Sequence, residues 1–292
     1  MEEYALQAVE RLTTRPAEPY ETLSVDPVTP LLGAEVSGVD LSQELTPQQE
    51  KEIKHAFLTH HVLVFRDQDI TPEQHKRFAA LFGELHPVSL PVEGSDPHIL
   101  EIRADKDSRM VAGDGWHADG TADPEPSLGS MLHITTVPEG GSGGDTMFAN
   151  MHLAYEMLSP TLRSFLDGLT AVHDGALPWR AAGQNPPPEY DVPRNEHPVV
   201  PRHPETGRKL LFVNGPYTSH IPLLSKAESD ALLAMLYGHI ANTPLLHCRV
   251  RWQPGTLVFW DNRCVQHHAV WDYFPLTRHG RRVAIEGTRP QS

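Results

Sequence analysis

The stretch GTLVFWDNRCVQHHAVWDYFPLTRHGRRVAIEG, residues 255–287, joins an apolar run to a basic one through two polar turns. The apolar run, 256–260, precedes a Trp-Asp-Asn-Arg turn and the group Gln266-His267-His268-Ala269. A second strand-like run follows at 281–286. Runs of the same kind, each bounded by Gly or Pro, occur at 129–137, 145–149, 210–214 and 246–252. Short apolar runs bounded by Gly or Pro are typical of the strands of antiparallel sheets.

Helical patterns surround these strands. Thr46-Pro47-Gln48-Gln49 and Thr71-Pro72-Glu73-Gln74 each combine an N-cap Thr, a Pro in the first helical position and a Gln two positions later. A third helix is expected at about 151–168, and a fourth begins at Ser225, where Glu228 completes a capping box. The mixture predicts a mainly β protein with flanking helices, in the form of an antiparallel sandwich or a jelly roll.

The chain of 292 residues is long enough for one large domain or two ordinary ones, and no internal repeat divides it. Residues 1–20 look like an amphipathic arm that ends at two Pro-containing steps. Residues 177–209 form a long Pro-rich stretch, which inside a domain indicates a lid or a disordered insert. We therefore expect an arm at 1–20 and one domain at 21–292 that carries an insert, or lid, at about 177–209.

Charge and composition exclude several function classes. Lys and Arg number 24 against 38 Asp and Glu, so the net charge of −14 argues against nucleic-acid binding. Neither a dinucleotide nor a P-loop glycine pattern occurs. The apolar runs are far too short to span a membrane, the N-terminus lacks a signal-peptide pattern, and two cysteines cannot form a disulfide framework. A cytoplasmic protein is expected.

The first candidate for chemistry is the group Trp116-His117-Ala118-Asp119. Residues i and i+2 of a strand share one face, so His117 and Asp119 can converge on one cation. With a distant second His they would form the facial triad of non-haem Fe(II) oxygenases. In a chain with 18 His such a tripeptide also arises by chance, and the alternative is a His and an Asp on an exposed strand face.

The order of motifs along the chain resembles the taurine dioxygenase / 2,4-dichlorophenoxyacetate dioxygenase (TauD/TfdA) family of Fe(II)- and 2-oxoglutarate-dependent oxygenases. The segments that carry the resemblance are LGAEVSGVDL (32–41), VLVFRDQ (62–68), FGELHP (82–87), WHAD (116–119), GGDT (143–146), HPVV to HPETGRKLLFVN (197–214) and the stretch 255–287. The family implies a double-stranded β-helix core, of the jelly-roll or cupin type, and a dimer or tetramer.

The resemblance also implies a set of cofactor residues. His117, Asp119 and His267 would hold Fe(II), with His268 as the competing candidate for the third ligand. Thr146 and Arg278 would hold the distal carboxylate of 2-oxoglutarate. Because Arg presents a planar fork to a carboxylate, the second assignment is physically sensible. O₂ would be the second co-substrate, with succinate and CO₂ as co-products.

The substrate implied by the resemblance is a small organic anion. Arg282 and His86 match family residues that contact its anionic group, and Tyr217 matches a pocket aromatic residue. Ser89 and Gly113 are smaller than their counterparts in the taurine enzyme, which should enlarge the pocket. Taurine itself is therefore doubtful, and a bulkier sulfonate, sulfate ester or aryloxy or alkyl carboxylate is expected.

Three alternatives remain open at this level. The same core could serve a biosynthetic hydroxylase or desaturase, and the same ligands could serve a zinc-dependent, cupin-like hydrolase. A non-catalytic binding protein on a β-sandwich is the third. The pair Thr146 and Arg278 favours the oxygenase over the hydrolase, because a hydrolase needs no anchor for a dicarboxylate.

Overall fold

The computed structural model describes residues 1–16, 19–90, 92–111, 113–188 and 190–292. Its α-helices are α1 (Glu3–Thr13), α2 (Pro47–His60), α3 (Pro72–Ala80), α4 (Met151–Glu156), α5 (Pro160–Leu166), α6 (Leu177–Ala181) and α7 (Lys226–Asn242). A short 3-10 turn follows at Pro244–Leu246. No helix among the described residues is long and apolar enough to cross a membrane.

Fourteen strands are present in the described part of the chain. The first seven are β1 (Ser24–Pro27), β2 (Ala34–Ser37), β3 (Val62–Phe65), β4 (Leu85–His86), β5 (Leu100–Ala104), β6 (Gly129–Thr136) and β7 (Thr146–Asn150). The others are β8 (Thr170–Asp174), β9 (Arg194–Pro198), β10 (Thr218–His220), β11 (His247–Val250), β12 (Thr256–Asp261), β13 (Val265–Ala269) and β14 (Arg278–Ile285). The prediction of a mainly β protein with flanking helices is confirmed.

The strands form three sheets. The largest has the order β1-β2-β3-β12-β6-β14-β4, and β5 pairs with β14 beside this path. The other two are β11-β7-β13 and β10-β8-β9. Strands β2 and β3 are parallel, whereas the remaining pairs of the described residues are antiparallel. The short runs predicted near 129–137, 145–149, 246–252, 256–260 and 281–286 all lie in these sheets.

Both faces of the large sheet are covered, which explains why β3 and residues 257–260 of β12 are apolar throughout. Along β3, Val62 and Val64 pack with the β11-β7-β13 sheet, while Leu63 and Phe65 face α2 and α3. This alternation follows from the two-residue period of a strand. On the helical side the rings of Phe57 and Phe259 stack with centroids 3.9 Å apart.

The helix-start signals are confirmed. Thr46 and Thr71 each accept a hydrogen bond from the backbone N–H of the Gln three positions later, and Ser225 does the same with Glu228. In all three capping boxes the side chain of that later residue accepts a hydrogen bond from the backbone N–H of the cap residue. Local sequence therefore determines where α2, α3 and α7 begin.

Two expected elements differ in the structure. The helix expected at 151–168 is two helices, because Ser159 caps a new helix at Pro160, whose ring nitrogen has no hydrogen to donate to the preceding turn. The run 210–214 forms no strand. Its N–H groups bond to scattered carbonyls, such as those of Met151 and Val199, instead of to one neighbouring strand.

The expected arm and insert both contain regular structure. Within 1–20, α1 buries Ala5 and Ala8 and pairs Arg11 with Glu156 of α4 at 2.5 Å. Within 177–209, α6 is followed by β9, which pairs with β8 in a three-stranded sheet. Glu189, inside the insert, and residues 17 and 18 of the arm lie outside the described residues.

Candidate metal centre and cavity

A backbone bridge places two of the predicted ligands side by side. The N–H of His117 donates to the carbonyl of His267 at 3.1 Å, and the N–H of His267 donates back at 2.7 Å. Directly opposed residues in such an antiparallel pair project to the same side. The two imidazole rings accordingly lie 4.1 Å apart, measured between centroids.

Asp119 is positioned by its main chain. Its N–H donates to Oδ1 of Asn262 at 2.7 Å, and the Asn262 amide donates to the Asp119 carbonyl at 2.9 Å. Asn262 lies in the turn between β12 and β13, so the Asp119 loop is fastened to the hairpin that carries His267. Oδ1 of Asp119 is 3.9 Å from Nε2 of His117 and 3.9 Å from Nε2 of His267.

The three donors fit a divalent cation. Nδ1 of His117 lies 2.9 Å from the carbonyl of Gly115, so this nitrogen carries the proton and Nε2 presents a lone pair. A metal-bound His is held by this type of outer hydrogen bond. Two imidazoles and one carboxylate on one side of a cation leave the opposite side open, which is the arrangement that non-haem iron requires.

Charge at the centre also suits a cation. Burial favours the neutral carboxyl of Asp119, but the neighbouring guanidinium of Arg282 holds its pKa below the usual value. Its Oδ2 accepts from the Ser130 hydroxyl at 2.9 Å, and its Oδ1 accepts from Nη1 of Arg282 at 2.6 Å. Burial lowers the pKa of His267 to about 3, so its ring is neutral and available as a ligand.

The geometry separates the two candidate histidines of β13. His267 joins His117 and Asp119 in a group whose donor atoms all lie within 4.8 Å of one another. His268 points elsewhere: its Nδ1 accepts from the N–H of Gly115 at 2.6 Å, and its ring lies beside Trp116. The structure therefore places His267, the favoured third ligand, beside His117 and Asp119, and it places His268 outside this group.

Arg278 is a buried cation with spare hydrogen-bonding capacity. It is 4% exposed, and its Nε has no partner among the described residues. Burial lowers the pKa of Arg278, opposed by Tyr273. Its guanidinium carbon lies 5.2 Å from the ring centre of Trp252, whose indole N–H donates to Oγ1 of Thr146 at 3.1 Å. Arg278 and Thr146 thus border the same space, as expected for two residues that bind one carboxylate.

Gly144 of the GGDT segment leaves space for the side chain of Arg278. The residue has φ +74°, a conformation that favours glycine. A Cβ there would lie 2.8 Å from Cδ of Arg278 and 3.2 Å from the ring of Tyr273. A side chain at 144 would therefore displace the guanidinium.

One cavity of about 400 Å³ connects these groups. The predicted ligands and the pair Thr146 and Arg278 line it, and so do the predicted substrate residues, which are His86, Ser89, Gly113, Tyr217 and Arg282. The walls lie between the large sheet and the β11-β7-β13 sheet. Arg281, by contrast, points away and pairs with Glu101 at 3.0 Å.

Comparison with known proteins identifies the family. The family model described as "Taurine catabolism dioxygenase TauD, TfdA family" matches residues 24–284. The chain belongs to this family. Both the recognition of the family and the class of enzyme, a 2-oxoglutarate-dependent dioxygenase, are thereby confirmed.

Several relatives of the TauD/TfdA family align along most of their length. An alkylsulfatase of Acinetobacter baylyi is 36% identical over 94% of this chain and 89% of its own. A sulfate ester dioxygenase of Pseudomonas putida, named as alpha-ketoglutarate-dependent, is 34% identical over 92% and 91%. A 2,4-dichlorophenoxyacetate dioxygenase of Cupriavidus pinatubonensis is 34% identical over 90% and 94%.

Solved structures of the family give the same result. A taurine dioxygenase from Burkholderia xenovorans superimposes with a TM-score of 0.79 at 37% identity, covering 92% of this chain and 91% of that one. AAD-2, solved with Mn(II) and N-oxalylglycine, superimposes with a TM-score of 0.77 at 27% identity, covering 93% and 100%.

Sequence reasoning missed several residues that line the cavity of this family member. Trp179 and Tyr190 come from the 177–209 stretch, and Asp123 follows the metal ligands by four positions. Burial raises the pKa of Asp123, with His86 opposing the shift. Trp260 also lines the cavity, and its ring lies 4.8 Å from that of His267. The short spacing from Asp119 was a usable signal for Asp123, whereas the others depend on tertiary structure.

Proposed function

We propose that the protein is an Fe(II)- and 2-oxoglutarate-dependent dioxygenase that hydroxylates a small organic anion. One observation carries the proposal: the donors of His117, Asp119 and His267 and the buried guanidinium of Arg278 face one cavity of about 400 Å³. A cation and a dicarboxylate can therefore be held together beside a third molecule.

In this proposal His117, Asp119 and His267 hold Fe(II) through two nitrogens and one oxygen. Together with 2-oxoglutarate and O₂ the ion would supply the oxidising power, with succinate and CO₂ as co-products. The protein contributes orientation, since the bridge between His117 and His267 and the Asn262 bonds fix all three ligands. Ser130 holds the carboxylate oxygen that does not face Arg282.

Arg278 and Thr146 would bind the distal carboxylate of 2-oxoglutarate. The Nε of Arg278 is buried without a partner, and leaving such a group unpaired costs free energy that a carboxylate would recover. The zinc-hydrolase alternative offers no use for this anchor and does not agree with membership of a dioxygenase family. A biosynthetic hydroxylase or desaturase on the same core stays the second candidate.

The substrate is proposed to carry its anionic group near Arg282 and His86 and to place an apolar alkyl or aryl part against the apolar lining of the cavity. That lining includes Leu100, which pairs with Arg282 across two strands, as well as Ile102 and Trp179. Two relatives are named for sulfate esters and for 2,4-dichlorophenoxyacetate, and both kinds of compound combine an anionic group with an organic part. The absence of a side chain at Gly113 is consistent with a substrate larger than taurine.

The test begins without oxygen. Fe(II) followed by 2-oxoglutarate should produce the weak visible charge-transfer band of a chelated keto acid, and Asp119→Ala should abolish it. Succinate release is then measured with alkyl sulfates, sulfonates, aryloxy acids and taurine. A band with iron bound, and turnover of an anion larger than taurine, is the expected result. Iron binding without the band would refute the proposal.

We also propose that the large sheet and the β11-β7-β13 sheet form a double-stranded β-helix, or jelly-roll, core in one domain over 21–292. In this arrangement 177–209 closes over the bound substrate, since Trp179 and Tyr190 of that stretch reach the cavity. Limited proteolysis with and without Fe(II), 2-oxoglutarate and substrate tests closure, and unchanged cleavage there would contradict it. A homodimer or homotetramer is proposed as well, and light scattering would measure it.

A further inference from the structure

A second group of metal-ligating side chains lies on the other side of the β12–β13 hairpin. It consists of His61, His152 and Cys264, and their donor atoms all lie within 4.8 Å of one another. All three residues are buried, with exposed fractions of 2%, 0% and 0%. They come from three separate places: the connection between α2 and β3, helix α4 and the β12–β13 turn.

Two ring nitrogens of this group are available to bind a ligand, because no described residue forms a hydrogen bond with them. Nδ1 of His152 lies 2.8 Å from the carbonyl of Lys209 and must donate to it, so Nε2 carries a lone pair. That Nε2, and Nδ1 of His61, are buried without a hydrogen-bond partner among the described residues. Buried polar atoms are rarely left unpaired, and an outer bond to a backbone carbonyl is typical of a metal-bound His.

A carboxylate lies beside the same sulfur, but it is already bonded within the protein. Cys264 belongs to an overlapping group with His203 and Asp261, again with donor atoms within 4.8 Å. Oδ1 of Asp261 accepts from the N–H and Nε of Arg263, and its Oδ2 accepts from Nη2 of Arg263 at 2.8 Å and from Nε2 of His203 at 3.0 Å. The charge of Asp261 is thus balanced by Arg263, and the donors left for a cation are those of His61, His152 and Cys264.

From this arrangement we propose a Zn²⁺ site formed by His61, His152 and Cys264, with a water molecule in the fourth position. A tetrahedral zinc with these ligand types has donor atoms about 3.3–3.6 Å apart, so side-chain rotations must contract the group slightly. Thiolate selects zinc over the ferrous ion, which prefers the nitrogen and oxygen donors of the cavity centre. The site would join β3, α4 and the hairpin that carries His267.

Binding involves no oxidation. The thiol of Cys264 gives up its proton to solvent as the Zn–S bond forms, and two imidazole lone pairs complete bonds to the same ion. Because the bond from sulfur to the metal replaces the S–H bond, a thiolate charge-transfer signal reports that the cation is bound to this sulfur.

The experiment uses Co²⁺ as a spectroscopic substitute for Zn²⁺ on the whole, metal-free protein. Cobalt bound to a thiolate has an intense near-ultraviolet charge-transfer band, whereas cobalt at His117, Asp119 and His267 has no sulfur ligand and lacks this band. We expect the band to saturate at one equivalent of thiolate-bound cobalt and to disappear when Zn²⁺ is added. An absent band refutes the site.

Two ligand variants and one control variant test the assignment. Cys264→Ser should lose the band, and Cys248→Ser, which changes the other cysteine of the chain, should keep it. His152→Asn, whose amide nitrogen takes the place of Nδ1, should retain the bond to the Lys209 carbonyl but weaken cobalt binding at least tenfold. Far-ultraviolet circular dichroism checks folding. A band that survives Cys264→Ser, or one that Cys248→Ser removes, overturns the assignment.

Discussion

Replacing Arg278 by Ala tests the proposed co-substrate anchor directly. The change removes a guanidinium that is 4% exposed and whose Nε has no partner among the described residues. It leaves the three metal donors in place, because Arg278 contacts Trp252 and Tyr273 and makes no hydrogen bond to the ligands. The expected defect is therefore in 2-oxoglutarate binding and not in iron binding.

The size of the defect follows from the bond that is lost. A hydrogen bond to a charged group contributes about 1.5–3 kcal/mol. Each 1.4 kcal/mol changes an equilibrium constant about tenfold, so the Kd for 2-oxoglutarate should rise about 10- to 150-fold. The Kd for Fe(II) should change by less than about threefold. Added formate or acetate has no reason to restore the anchor, since the missing group is the cation.

The assay is an anaerobic titration of the Fe(II) protein with 2-oxoglutarate, followed by the visible charge-transfer band. Arg281→Ala is the matched control, because Arg281 is on the same strand but pairs with Glu101 at the surface. The control should titrate like the unchanged protein. An Arg278→Ala protein with an unchanged 2-oxoglutarate Kd would refute the anchor, and a loss of iron binding would show that the variant disturbs the centre itself.

Three further predictions address the centre, the glycine turn and pH. Ser130→Ala removes the hydroxyl that donates to Asp119 at 2.9 Å and should weaken Fe(II) binding about 10- to 100-fold, measured by equilibrium dialysis. Gly144→Ala should raise the 2-oxoglutarate Kd as Arg278→Ala does, because its Cβ would lie 2.8 Å from Cδ of that arginine. Burial lowers the pKa of His75 to about 3, so the unfolded chain binds the proton first and stability falls as pH falls from about 6.5 towards 3. When the pH is lowered from 7 to 5, the free energy of unfolding of His75→Leu should therefore fall by about 2 kcal/mol less than that of the unchanged protein, measured by urea unfolding.

The sequence predicts local features well because their causes are local. Capping boxes at Thr46, Thr71 and Ser225 identify where helices begin, and all three appear in the structure. The apolar strand runs also appear, since burial on both faces requires continuous apolar side chains. The break at Pro160 was equally local and could have been anticipated from the Ser-Pro step.

Features set by contacts between distant residues were harder to predict. The choice of His267 over His268 depends on the bridge to His117, a pairing of residues 150 positions apart in which a one-residue slip would reverse the two side chains. Trp179 and Tyr190 reach the cavity from a stretch that sequence could describe only as long and Pro-rich. No local sequence pattern indicates either of these two arrangements.

The two halves of the site are built differently, and this bears on how substrate choice varies in such a protein. The ligand half is fixed by backbone bonds: His117 to His267, and Asn262 to both polar backbone groups of Asp119. The substrate half includes side chains such as Ser89, Tyr190 and Trp179, which come from connections between strands. Changes in these connections can reshape the pocket without moving the metal donors, because loops tolerate substitution better than the scaffold that positions them. Substitutions at Trp179 should therefore change which anion is oxidised and leave the anaerobic band intact.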